Sequence, residues 1–170
     1  MNEFKVISFM LSRRGEVIGA SDDALMKSLG LEGESGREKL YRLLDAYSRN
    51  VEMFGLKVER NALDGHWFLS CTGDVVENAR VNPFQGRTRL ASTLVAIIIA
   101  TTTDEEPATV ERVKKLRNVK DVTQDLKELE NMGLIKVNGN AITMTERIGY
   151  YVDLGGFIKR FNEYLNEKFK

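Results

Sequence analysis

The chain has 170 residues, of which 42% are hydrophobic, enough for one ordinary domain or for two small domains with separate cores. Its 25 basic and 25 acidic side chains cancel, which excludes a chain-wide charge that would draw the protein to nucleic acid or to anionic membranes. The single cysteine, Cys71, excludes an internal disulfide and a cysteine-based zinc site, and it indicates a reducing, cytoplasmic setting.

The first half of the chain predicts three helices. Apolar residues at helical spacing predict one helix over residues 3 to 13, and a serine cap with a closing glycine predicts a second between Ser21 and Gly30. Ser35 and Glu38 have the spacing of a capping box, in which each side chain bonds the backbone amide at the other position. This box predicts the start of the third helix.

A predicted hairpin follows these helices. Strands over residues 56 to 61 and 67 to 71 flank Asp64 and Gly65, residue types that supply positive φ in a tight turn. A short helix over residues 74 to 80 is then predicted within the connection to the second half of the chain.

The second half of the chain repeats this order of helices and hairpin. A strongly apolar helix over residues 90 to 101 is expected at the centre of a second core, buried on most sides. Caps and turn residues predict a helix from Thr109 to Asn118, a helix from Asp121 to Gly133, and strands 134–137 and 141–145 across Asn138 and Gly139.

Together these elements predict an α+β, mainly helical fold of two tandem winged-helix domains with a C-terminal helix. We expect an N-terminal winged-helix domain over residues 1–80, a linker at 81–86, a C-terminal winged-helix domain at 87–153 and an amphipathic helix at 154–170. A winged helix presents its third helix or its wing to a partner, most often DNA or protein.

Four stretches of the chain share the pattern of one family. They are SDDALMKSLGL at residues 21 to 31, LYRLLDAYSRN with FGLKVERNALDGHWFLSC, RLASTLVAIIIATTTDEEPATVERVKKLRNV at 89 to 119, and LKELENMGLI at 126 to 135. Over residues 5 to 150 the chain resembles segregation and condensation protein B, the tandem winged-helix subunit of prokaryotic condensin. The short hairpin KVNGNAITMTERIGYY lacks the family's Gly-Arg-Pro signature, and Asn118 stands where glycine is usual, so we expect a divergent member, with an archaeal source as one option.

The resemblance implies a non-enzymatic subunit of a condensin-like complex. Such proteins form homodimers, commonly through the N-terminal winged helices, and bind the kleisin subunit ScpA, which bridges the heads of the SMC ATPase. The implied role is chromosome condensation and segregation during cell division, at a cytoplasmic, nucleoid-associated location. No cofactor and no membrane are implied, and DNA is contacted indirectly or weakly.

Two apolar surfaces are candidates for partner binding. Phe4, Phe9 and Met10 lie on more than one side of the first helix, so they are candidates for the dimer interface, the alternative being a core helix packed on two sides. In the last helix, Phe157, Phe161 and Leu165 form a stripe that either contacts a partner or folds back on its own winged helix.

The charges on the two third helices differ in sign. Arg37, Lys39 and Arg42 make the first weakly basic, able to touch a DNA backbone or simply solvated. The second is acidic, because Lys127 is the only cation beside its four carboxylates, which we expect to be ordinary solvated surface charges that repel phosphates. The four are Asp121, Asp125, Glu128 and Glu130.

Residues for catalysis are scarce. His66, the only histidine, stands beside the predicted Asp64-Gly65 turn, and no phosphate-binding glycine loop or metal-spaced cluster occurs. The sequence therefore predicts a protein that is not an enzyme. The alternative to the condensin subunit is a dimeric winged-helix transcription regulator that binds DNA directly, in a salt-sensitive manner.

Overall fold

The computed structural model describes residues 2–14, 17–73, 82–102 and 107–168. The chain divides into two compact units, one formed by Met1–Arg80 with Val152–Lys170 and the other by Val81–Tyr151. The C-terminal helix thus groups with the first unit, while the predicted domain boundaries stay predictions. The short helix predicted over residues 74 to 80 lies outside the described residues.

The first unit contains three helices before its wing. They are α1 (Glu3–Leu11), α2 (Asp22–Leu29) and α3 (Gly33–Glu52). The Ser21 hydroxyl caps α2 by accepting from the Ala24 amide, and Gly30 ends it with φ of 66°, as predicted. The capping box predicted for Ser35 and Glu38 is wrong, because α3 begins two residues before Ser35 and has no side-chain cap. Gly36 lets this first turn pack tightly, since a Cβ there would meet backbone of Leu31 at 3.2 Å.

The described part of the first unit also has four strands, two between α1 and α2 and two after α3. The strands are β1 (Arg13–Arg14), β2 (Val17–Ile18), β3 (Leu56–Arg60) and β4 (Trp67–Cys71). The β1 and β2 segments pair antiparallel, which ends α1 at Leu11, two residues earlier than predicted. In the wing, Arg60 pairs with Trp67, so residues 61–66 form a longer loop than the tight turn we predicted. The amide of Asn61 donates to the His66 carbonyl at 2.8 Å and holds this loop closed.

The core of the first unit joins one face of each helix to the wing. Its most deeply buried side chains are Ile7, Leu11, Leu25, Leu40 and Leu44. Burying a side chain of this size stabilises the fold by roughly 1.5–3 kcal/mol. The helical spacing of these apolar residues is also what predicted the helices, so this core could be predicted from the local sequence pattern.

The second unit has the complete winged-helix order. It consists of α4 (Thr88–Thr102), β5 (Ala108–Thr109), α5 (Val110–Arg117), α6 (Thr123–Asn131), β6 (Ile135–Asn138), β7 (Ala141–Met144) and a 3₁₀ turn (Glu146–Tyr150). The strand order is β5-β7-β6, with antiparallel pairing throughout. Helix α4 buries Leu94, Ile97 and Ile98 in the second core, whereas Val95, which was expected to be covered as well, is 37% exposed.

Two ends of the second-unit elements follow the predicted caps, but the cap predicted at Asp121, with Gln124 at box spacing, is wrong, because α6 begins at Thr123 after Val122 and has no side-chain cap. The Thr109 hydroxyl accepts from the Arg112 amide to cap α5, and Asn118 ends it with φ of 52°. Asn138 pairs with Ala141, which moves the wing turn one residue past its predicted place. The turn then has Gly139, at φ of 60°, as its first residue.

The last element, α7 (Leu154–Lys168), groups with the first unit. The Asp153 carboxylate accepts from the Gly156 amide at 2.9 Å and caps its first turn. The α+β, mainly helical class with two winged helices and a C-terminal helix is thereby confirmed. No helix within the described residues is long and apolar enough to cross a membrane.

Candidate functional site

The dimer candidates on α1 differ in exposure. The Phe4 ring meets the Tyr47 ring edge to face at 5.7 Å, and Met10 packs against the same core. Phe9 is 63% exposed, with the Arg14 guanidinium 5.3 Å from its ring centroid. Phe9 is therefore the member of this set that faces solvent, and the dimer role of all three stays a prediction.

Sequence reasoning missed two other exposed apolar positions in the first unit. Met53 and Phe54, in the turn between α3 and β3, are 81% and 70% exposed. Their backbone is ordered by hydrogen bonds from Phe54 to Val51 and from Gly55 to Glu52. An apolar pair in a turn, where polar residues are usual, is the sequence signal that could have found them.

The basic side chains of α3 are all paired within the first unit. Arg37 lies 3.6 Å from both Asp22 and Asp23, and Lys39 lies 2.9 Å from Glu3. The remaining pairs are Arg42 with Glu38 at 3.9 Å and Arg49 with Asp45 at 2.6 Å. A phosphate would have to compete with a carboxylate at each cation, so contact of Arg37, Lys39 and Arg42 with a DNA backbone stays a prediction that this pairing opposes.

Asp22 is the centre of a buried network that sequence reasoning missed. Its carboxylate accepts from the Trp67 Nε1–H at 2.6 Å and the Tyr41 hydroxyl at 3.0 Å, and Arg60 lies at 3.4 Å. A hydrogen bond with Tyr41, assisted by the nearby carboxylates, raises the pKa of Arg37 above its usual value. The network ties α2 and α3 to the wing, and from sequence Asp22 was only a favourable charge at a helix start.

Two of the four carboxylates in the acidic face predicted for the second unit, Asp125 and Glu128, are paired with arginines at or just before the start of α4. Asp125 is buried, accepting from Arg89 Nε at 3.0 Å and from the Thr93 hydroxyl at 2.9 Å, so its assignment as a solvated surface charge is wrong. Glu128 pairs with Arg87. The partners that bury these charges lie more than 30 residues away in sequence, which is why the helix pattern alone did not reveal them.

The other two carboxylates of this helix are exposed and bonded locally. Glu130 accepts from the Val137 amide of the wing at 3.0 Å. Asp121 precedes α6 and accepts from the hydroxyl and the amide of Thr123, which hold its pKa below the usual range. Asp121 is therefore an exposed carboxylate just before α6, and the expectation that it opposes a DNA groove stays a prediction.

The aromatic stripe of α7 is partly covered. The rings of Phe157 and Phe161 are half-buried and stack on each other, with centroids 6.2 Å apart and planes 6° from parallel. The side chain of Leu165 lies outside the described part of the chain. A partner-binding role for these three residues stays a prediction.

The described residues contain no cluster suited to a metal ion. No group of three or more His, Cys, Asp or Glu side chains there is arranged to hold a metal ion. His66 lies in the loop of the first wing, with its Nδ1 3.6 Å from the Asp64 carboxylate.

The solved structures that are similar to this chain include the following two. One is a conserved hypothetical protein from Chlorobium tepidum, 17% identical, with 91% of this chain and 95% of that chain covered and a TM-score of 0.38. The other is ScpB from Mycobacterium tuberculosis, also 17% identical, with 86% and 91% covered and a TM-score of 0.36. It carries the name of the family that the sequence resembles. No protein-family model matches the chain, and no curated protein matches it significantly.

Proposed function

We propose that this protein is a non-enzymatic subunit of a condensin-like complex that forms homodimers and binds the kleisin ScpA. Its role is then to brace the kleisin that joins the SMC ATPase heads, in support of chromosome condensation and segregation at the nucleoid. The resemblance over residues 5 to 150 supports this proposal, together with two complete winged helices in that span.

The observation that carries the proposal is the surface of the first unit. All four cations of α3 are paired with carboxylates, so this third helix offers little to phosphates. Large apolar side chains remain exposed on the same unit, namely Phe9, Met53 and Phe54. Such a surface suits a protein partner, because burying exposed apolar area is the main driving force of protein association.

The dimer is tested by light scattering after gel filtration. The wild-type chain should elute at twice its mass of 19.3 kDa. Phe9→Glu should give monomers, because it places a charge in an apolar interface, whereas Leu63→Glu, at an exposed position of the wing loop, should leave the dimer intact. A monomeric wild type, or a dimer that tolerates Phe9→Glu, would contradict the assignment of Phe9.

Kleisin binding is tested by co-expression with the kleisin from the same genome, followed by gel filtration. The two proteins should co-elute, and the complex should survive moderate salt because its contacts are apolar. Phe161→Glu should weaken the complex, while Asn162→Glu, exposed on the same helix, should not. Failure of the wild-type chain to co-elute would sink the proposal, and specific operator binding by the isolated protein would favour the transcription regulator instead.

A further inference from the structure

A cationic surface that the proposed function does not use lies at the end of α5. Lys114, Lys115 and Lys120 line one shallow groove of about 570 Å³, together with Asn118 and Val119. Arg117 belongs to the same last turn of α5. The groove therefore sits at the turn of the helix-turn-helix, between α5 and α6.

Few carboxylates oppose this surface. Glu111 is the acidic residue that lines the groove, and it pairs with Lys114 at 2.9 Å. Within the described part of the chain, Lys115, Arg117 and Lys120 have no carboxylate within salt-bridge distance. In this they differ from the cations of α3, each of which has such a partner.

The backbone at the groove is also satisfied. The Asn118 amide donates to the Lys115 carbonyl, and the Val119 amide donates to the Lys114 carbonyl, each at 3.1 Å. These bonds satisfy the carbonyls of Lys114 and Lys115, two of those that the end of a helix would otherwise leave free to repel an anion. The ammonium groups are therefore the dominant charges that an approaching ligand meets.

The adjoining start of α6 adds polar groups suited to phosphate oxygens. Gln124 and Lys127 are exposed there, whereas the Thr123 hydroxyl already donates to Asp121 and Asp125 is buried against Arg89. Asp121 remains an exposed carboxylate at the first turn, where reading of base edges would occur. This combination favours contact with a backbone over contact with bases.

We infer that the α5–α6 surface of the second unit binds the phosphate backbone of duplex DNA without base specificity. In helix-turn-helix proteins the helix before the third one crosses the DNA backbone, which is the place that Lys115 and Lys120 occupy here. An acidic peptide is the less favoured ligand, because Leu116 and Val119, although exposed, form no deep apolar pocket to anchor one.

The test uses the full chain and a fluorescently labelled 30-base-pair duplex of arbitrary sequence, measured by anisotropy. Three phosphate contacts predict that log K falls with log salt at a slope of about −3, a loss of roughly 50-fold between 50 and 200 mM salt. The double variant Lys115→Gln/Lys120→Gln should bind at least tenfold more weakly at 50 mM salt, and its log K should fall with log salt at a slope of about −1. Both lysines are exposed, so the fold should tolerate the change.

The matched control is Lys39→Gln/Arg42→Gln, which removes the same charge from paired residues of α3. It should leave duplex affinity within about twofold of wild type. An equal loss in both double variants would overturn the assignment to α5–α6, and so would the absence of wild-type binding at 50 mM salt. A second duplex of unrelated sequence should bind equally, since a strong preference would contradict backbone binding.

A polyglutamate peptide is the competing ligand. If it binds and the duplex does not, the surface serves an acidic protein segment and the DNA inference is wrong. The assay contains neither kleisin nor ATPase, so its failure is distinguishable from failure of the proposed condensin role.

Discussion

Each unit of this protein buries one aspartate, but the two carboxylates are held differently. Asp22 in the first unit accepts from Trp67 of the wing and from Tyr41 of α3. Asp125 in the second unit is held by Thr93 and by Arg89, whose side chain is 62% exposed. The first carboxylate therefore joins helices to wing, whereas the second joins α6 to α4 at the surface edge.

The surfaces of the two units also differ, because their ion pairs use different cations. In the first unit, the network around Asp22 draws in Arg37 and Arg60, so cations are used internally and apolar residues remain outside. In the second unit, Arg87 and Arg89, just before and at the start of α4, pair with Glu128 and Asp125 of α6, and Lys115 of α5 remains without a carboxylate partner in the described part of the chain. Two copies of one fold thus present different chemistry, because their internal ion pairs draw on different helices.

The largest expected effect is that of Asp22→Ala. We expect the free energy of unfolding to fall by about 3 kcal/mol, because two donors lose their acceptor while the two arginines return to water. Urea unfolding followed by Trp67 emission measures it in the first unit, since Trp67 is the only tryptophan. Asp23→Ala, exposed on the same helix, should cost less than about 0.5 kcal/mol, and an equal cost for both would contradict the network.

Asp125→Ala should have a smaller effect, of about 1–2 kcal/mol. The exposed Arg89 can return to solvent, so the main loss is the hydrogen bond from Thr93. The loss of far-UV ellipticity in urea measures it, with Lys127→Ala on the exposed face of α6 as the control. A loss of stability as large as that of Asp22→Ala would contradict the stated difference between the two buried carboxylates.

The helix ends give a smaller test of the two units. Gly30 and Asn118 end α2 and α5 in the left-handed conformation, with φ of 66° and 52°. Gly30→Ala should cost about 1 kcal/mol, because a Cβ there meets no neighbour and only the backbone is strained. Asn118→Gly should stabilise by at most about 0.5 kcal/mol. Gly73→Ala, at a glycine without positive φ, is the control in urea unfolding and should change little.

The smallest expected effect is the titration of Asp121. Hydrogen bonds from Thr123 lower its pKa in the folded protein. Its contribution to stability is thus present above the ordinary aspartate pKa and is lost as pH falls through the lower, folded value. Carbon-13 NMR of the carboxyl group should give a midpoint below the usual 3.8, and Thr123→Ala should move it back up. An unchanged midpoint in Thr123→Ala would remove the stated cause.

The sequence by itself determined the order of elements and most of their ends. Ser21, Gly30, Thr109 and Asn118 each act through bonds to backbone within a few residues, so their roles were readable from residue type. The apolar spacing of α4 likewise marked the second core. These features depend on residues close together in the chain, so the sequence was enough to predict them.

Only the tertiary structure decided how α3 begins and which charges are free. Helix α3 begins at Gly33, before the predicted capping box, and its first turn packs Gly36 closely against Leu31. Asp22 and Trp67 are 45 residues apart, and Asp125 and Arg89 are 36 apart, so no helical pattern brings them together. Charge pairing depends on which side chains meet across the fold, and it distinguishes α3, whose cations all have carboxylate partners, from α5, where Lys115 has none in the described part of the chain.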